Sequence, residues 1–74
     1  MAYDYSKLAG KIVEVFGTQG KFAEAMGISE HTISQKMSNK VHFKQPDITK
    51  ACSLLGIADA DIPAYFFTLQ VQNH

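Results

Sequence analysis

Three glycines, Gly17, Gly27 and Gly56, each follow directly on a short stripe of apolar residues spaced three and four apart. A glycine in that place accepts the left-handed turn that ends a helix, so this punctuation restricts the chain to a set of short amphipathic helices. In the first, from Asp4 to Phe16, Tyr5, Leu8, Ile12, Val15 and Phe16 form the stripe, while Lys7, Lys11 and Glu14 lie on another face. Asp4 or Ser6 can cap its start. The second begins after Thr18, a good N-cap residue, and carries Phe22, Ala23 and Met26; Lys21 stands where a capping box wants Glu or Gln, so that cap is incomplete.

The third segment differs from the others. Ser29 is a further N-cap residue, and only Ile33 and Met37 are apolar in the turns that follow. If those two point inward, the helical period leaves Glu30, His31, Ser34 and Gln35 no direction but outward. Residues 38–45 carry no helical period and read as a loop. Pro46 suits the first position of a fourth helix and Asp47 complements its positive end; Ile48, Ala51, Cys52 and Leu55 line its buried face. Asp59 or Asp61 caps a fifth, short helix with Ile62, Tyr65 and Phe66, in which Pro63 fits only the first turn. The tail alternates Phe67, Leu69 and Val71 with Thr68, Gln70 and Gln72, the pattern of a short strand or extended segment. The expected architecture is all-α, with five short helices in a single domain over residues 1–74 and residues 67–74 extended.

A chain of 74 residues buries only roughly 60 to 65% of its unfolded surface, so its core has to be simple. Cys52 has no cysteine to pair with, no basic-then-apolar signal opens the chain, and no apolar run approaches the roughly 20 residues that span a bilayer. These features lead us to expect a protein of the reducing cytoplasm, with no membrane role. Metal and cofactor binding are not expected, because the histidines His31, His42 and His74 lack partners at ligand spacing and there is no glycine-rich phosphate loop. Catalysis is not expected either, since no nucleophile, base and orienting group occur together.

Net charge is zero, which by itself argues against nucleic acid. The distribution is less even: all seven lysines fall in residues 1–50 beside five acids, whereas residues 51–74 carry only Asp59 and Asp61. A basic face on the first part of the chain is therefore allowed. There is no arginine to hold phosphate bidentately, so affinity for DNA should be modest.

From Gln19 to Lys40, two short helices are joined by Gly27, Ile28 and Ser29. Ala23 permits close approach of the helix backbones, Gly27 a sharp turn, and Ile33 an apolar anchor, the combination that a helix-turn-helix requires. The segments Gln19-Gly20-Lys21-Phe22-Ala23-Glu24-Ala25-Met26-Gly27-Ile28-Ser29 and Ile48-Thr49-Lys50-Ala51-Cys52-Ser53-Leu54-Leu55-Gly56-Ile57 resemble the second helix with its turn and the fourth helix of the XRE family. More closely, they resemble its phage repressor and Cro-like branch. The opening Tyr3-Asp4-Tyr5-Ser6-Lys7-Leu8 and the closing Tyr65-Phe66-Phe67-Thr68 are similar to short phage proteins of the Cro-repressor group. The resemblance implies a lambda-repressor-like helix-turn-helix domain and a sequence-specific transcriptional repressor of a phage or prophage, which binds a palindromic DNA operator as a homodimer.

Carried over position by position, the resemblance places Glu30, His31, Ser34 and Gln35 against base edges. Gln19, Lys21, Lys36, Asn39, Lys40 and Lys44 would contact phosphates. Tyr65, Phe66, Phe67, Leu69 and Val71 hold more apolar area than one short helix needs, and are the expected dimer interface, with the tail pairing as a strand across the two-fold axis. A competing expectation keeps the same fold but assigns it another partner: zero net charge and the apolar tail also suit a module that binds a cognate phage repressor protein and modulates it.

Overall fold

The computed structural model describes residues 2–71. Among them are α1 (Ser6–Phe16), α2 (Gln19–Met26), α3 (Glu30–Met37), α4 (Gln45–Leu55), a 3-10 turn (Asp59–Asp61) and α5 (Ile62–Phe66). The all-α expectation of five short helices holds. Their limits follow from local chemistry. The Asp4 carboxylate accepts the Ser6 N–H at 2.9 Å at the head of α1, the Thr18 hydroxyl accepts the Lys21 N–H at 3.1 Å at the head of α2, and the Ser29 hydroxyl accepts the Thr32 N–H at 3.1 Å at the head of α3. Each occupies a backbone donor that the helix itself leaves unpaired. Gly27, with φ of 77°, ends α2 in the left-handed region, and the Ile28 N–H then reaches the Ala23 carbonyl at 3.0 Å.

Two starts differ from expectation. Helix α4 begins one residue before Pro46, because the Asp47 carboxylate reaches back and accepts the Lys44 N–H at 3.0 Å. Neither Asp59 nor Asp61 caps α5 with its side chain; the 3-10 turn runs straight into the helix and takes up the first N–H groups by backbone bonds.

The core is assembled from Leu8 and Ile12 of α1, Phe22, Ala23 and Met26 of α2, Ile33 of α3, Ala51, Cys52 and Leu55 of α4, and Phe66 of α5. Helix α2 packs against α1, α3 and α4, and α5 closes over α1. Phe43, in the loop before α4, bridges Tyr5 and Phe66 with edge-to-face ring contacts whose centroids are 5.3 Å apart on either side. That loop is therefore fastened to the core, although the spacing of its residues gives no sign of it.

The tail does not wait for a symmetry mate. It lies antiparallel to residues 2–4: the Asp4 N–H donates to the Thr68 carbonyl at 2.6 Å and the Gln70 N–H to the Ala2 carbonyl at 3.1 Å, on either side of the Tyr3–Leu69 pair. An extended chain end beside another satisfies its backbone groups within the molecule, which the alternating pattern alone could not specify. Gln72 and His74 lie outside the described residues.

Candidate recognition face

Helix α3 is held by one face. Ile33 is fully enclosed and Met37 half-buried, while Glu30, His31 and Ser34 are exposed and Gln35 is half-buried at the margin. The outward group predicted from the period thus stands on the surface, with Gln35 the least free of the four. Glu30 also does something unexpected: its carboxylate leans over Gly20, where an added Cβ would come within 3.3 Å of a carboxylate oxygen. It therefore lies near the first turns of both α2 and α3, where the partial positive charge of two helix ends favours an anion.

The cations around this face divide into two sets. Lys21, Lys40 and Lys44 are exposed and free to meet an anionic partner. Lys36 is not, and the expectation that it contacts phosphate is corrected: it is only 6% exposed. Its ammonium lies 3.0 Å from the Asp47 carboxylate, donates to the His42 carbonyl at 3.1 Å and sits 5.8 Å from the centre of the Phe43 ring. Position 36 falls on the same face as Ile33 and Met37, so the helix buries it whatever its charge, and Asp47 makes that burial tolerable.

Asn39 is corrected in the same way. Its side chain is held at both ends by the backbone of Tyr3, accepting from the N–H at 2.8 Å and donating to the carbonyl at 2.9 Å, so its orientation is set by the fold and a single N–H of the amide remains unused. Gln19 is half-buried and opens on a shallow recess of about 340 Å³, shared with Tyr3, Ser6, Met37 and Gln70.

Of the expected interface residues, Phe66 is 1% exposed and belongs to the core. Tyr65 packs against that core with the Lys7 ammonium 4.8 Å over its ring. Phe66 is thereby corrected to a residue of the fold, while Tyr65 is half-buried and keeps part of its surface. Phe67, Leu69 and Val71 remain exposed, Phe67 with its ring edge-on to Tyr3 at 5.8 Å. A second concavity was not foreseen: Phe43, Gln45, Ile48, Thr49, Ile62 and Phe67 line an apolar groove of about 450 Å³. The alternation of the tail placed Phe67 at the surface, but nothing in the local spacing brings it beside Phe43 and Ile62.

Titratable groups reflect packing. Partial burial opposes the charge on Asp47, but the Lys44 N–H, the Lys36 hydrogen bond and the two lysine charges outweigh it, leaving its carboxyl below the ordinary value. Burial, and then the charge of Asp59, push the Cys52 thiol up, which keeps it protonated and unreactive at neutral pH. Among the described residues no group of three or more His, Cys, Asp or Glu is placed to hold a metal ion, and no helix is long and apolar enough to cross a membrane.

An all-α protein of five short helices, in which α2 and α3 are joined by a tight turn at Gly27 and a largely polar α3 stands at the surface, is the class these features define. The chain belongs to the family described as protein of unknown function (DUF739), which matches residues 1–69. It is similar to the modulator of repression (MOR) of the temperate bacteriophage TP901-1 from Lactococcus lactis. The solution structure of that protein shares 51% sequence identity with this chain and superposes with a TM-score of 0.82 over 97% of each chain. No curated protein matches.

Proposed function

We propose that this protein is a modulator of a phage or prophage repressor, acting by binding the repressor protein rather than by occupying an operator on its own. The observation that carries this is the 51% identity, over 97% of both chains, to the modulator of repression of a temperate phage. The chemistry of the surface agrees. With Lys36 and Asn39 engaged in internal contacts, the exposed cations of α2, α4 and the loop between α3 and α4 are few, Lys21, Lys40 and Lys44 with Lys50, whose ammonium lies 3.7 Å from where a Cβ on Gly27 would stand; Glu30 is exposed on α3, and the chain carries no net charge. Such a face gives little counterion release on DNA, the main source of affinity for a duplex. It suits a protein surface of mixed polarity better. The activity is one of binding, without catalysis or a cofactor, and takes place where the repressor works, in the bacterial cytoplasm.

The test is to mix the purified chain with the repressor of the same phage or prophage and follow complex formation by calorimetry and operator occupancy by gel shift. A stoichiometric complex that alters operator occupancy is expected, while the chain alone binds DNA no tighter than the nonspecific range of roughly 10⁻⁴ to 10⁻⁶ M. Tight, sequence-selective binding of the chain alone, with no repressor complex, would overturn the proposal.

A second reading, a Cro-like operator-reading dimer, is favoured by one observation, the exposed Glu30, His31 and Ser34 on α3. Selection of bound fragments from random DNA at fixed salt separates the two. Enrichment of a two-fold symmetric motif supports the second reading, and recovery of unrelated fragments supports the first.

A further inference from the structure

Asn39 is the one non-glycine residue among those described with positive φ, at 67°. It stands just past the end of α3, where the Lys40 and Val41 N–H groups both donate to the Gln35 carbonyl, at 2.9 and 3.3 Å. This left-handed conformation is disfavoured for most side chains and tolerated by asparagine. Its effect is to aim the carboxamide at the extended residues 2–4. There it meets both backbone groups of Tyr3 at 2.8 and 2.9 Å, doing for Tyr3 what the peptide group of a neighbouring strand would do.

On its other edge the same segment holds the tail, through the bonds from Asp4 to Thr68 and from Gln70 to Ala2. Three pieces distant in sequence thus meet in one hydrogen-bonded strip with Tyr3 at its centre. Leu69 and Val71 are 46% and 83% exposed, so packing contributes little to holding the tail beyond Phe67, and the strip carries the attachment. The recess beside it is bounded by Tyr3 and Gln70 of the strip, Gln19 of α2 and Met37 of α3, so the N-terminal segment, the tail and α3 all contribute to its wall.

We infer that Asn39 is a latch that couples the C-terminal tail to the end of α3, so that a partner displacing one shifts the other. Coupling of this kind is reciprocal, and each end reports on its counterpart. The inference goes beyond the proposed repressor partner and does not rest on it.

Amide hydrogen exchange on the full chain tests it in both directions. Asn39→Gly keeps the left-handed turn and deletes the carboxamide; exchange at the Asp4 and Gln70 amides is expected to accelerate about thirtyfold, the consequence of losing two hydrogen bonds of ordinary net strength. Gln70→Pro removes the donor to Ala2 without touching α3, and is expected to accelerate exchange at Lys40 and Val41. Core amides such as Ile12 and Cys52 keep their rates in both variants. Wild-type rates at Lys40 and Val41 in Gln70→Pro, or at Asp4 and Gln70 in Asn39→Gly, overturn the latch. Equal acceleration at every amide also overturns it, by reducing both changes to a loss of global stability.

Discussion

Lys36 and Asp47 illustrate how a single residue takes its meaning from its partner. The ammonium is nearly enclosed and its carboxylate partner stands at the edge, with side-chain exposures of 7% and 25%. Removing the partner strands a buried charge. Asp47→Ala should therefore lower stability by about 2 kcal/mol, less than the roughly 3 to 5 kcal/mol of a fully enclosed pair, and denaturation curves will show it. Lys36→Met keeps the apolar stem over Phe43 and leaves Asp47 its bond to the Lys44 N–H, so its cost should stay within about 1 kcal/mol. Because Lys36 is turned inward, this variant should also leave the salt dependence of any DNA binding unchanged.

The pH dependence has a definite sign. The carboxyl of Asp47 titrates below its ordinary value in the folded chain and close to about 3.9 when unfolded. Its contribution is complete above the unfolded value and is lost as pH falls through the lowered folded one. Stability measured by urea unfolding should decline on acidification through that window, and less so in Asp47→Asn.

At the scale of elements, caps and closing glycines carry most of the information. Thr18 and Ser29 bond to the first turns of α2 and α3, and Gly27 turns the chain between them. All three were legible in the sequence because a cap and its target lie three residues apart. Ser29→Ala should cost about 1 kcal/mol, with a fall in melting temperature of roughly 4 to 8 °C for a domain of this size. The loss should concentrate in α3, so amide exchange there should rise before that of α1. The start of α5 was not legible: a run of Asp59, Ala60 and Asp61 looks like a cap, but the turn is tightened by backbone bonds instead.

For the whole molecule, the aromatic line Tyr5, Phe43 and Phe66 ties the N-terminal segment, the loop before α4 and α5 into one core. Phe66→Ala opens a cavity at its centre and should cost about 3 to 5 kcal/mol, most of the stability a domain this small possesses, so the variant should lose its cooperative thermal transition. Val71→Ser, on the exposed tail, should shift stability by less than about 0.5 kcal/mol. Equal effects at the two positions would contradict the division of Phe66 from the exposed tail residues.

Helix number, the caps of α2 and α3 and the outward placing of Glu30, His31 and Ser34 follow from sequence alone, since each depends on residues within about four positions of one another, the reach of a helical turn and its cap. The burial of Lys36, the bonding of Asn39 to Tyr3 and the docking of the tail on residues 2–4 depend on partners 11 positions away, 36 positions away and at the opposite end of the chain. Local periodicity carries no record of such pairs. They were decided only when packing brought those backbone and side-chain groups within hydrogen-bonding distance of one another.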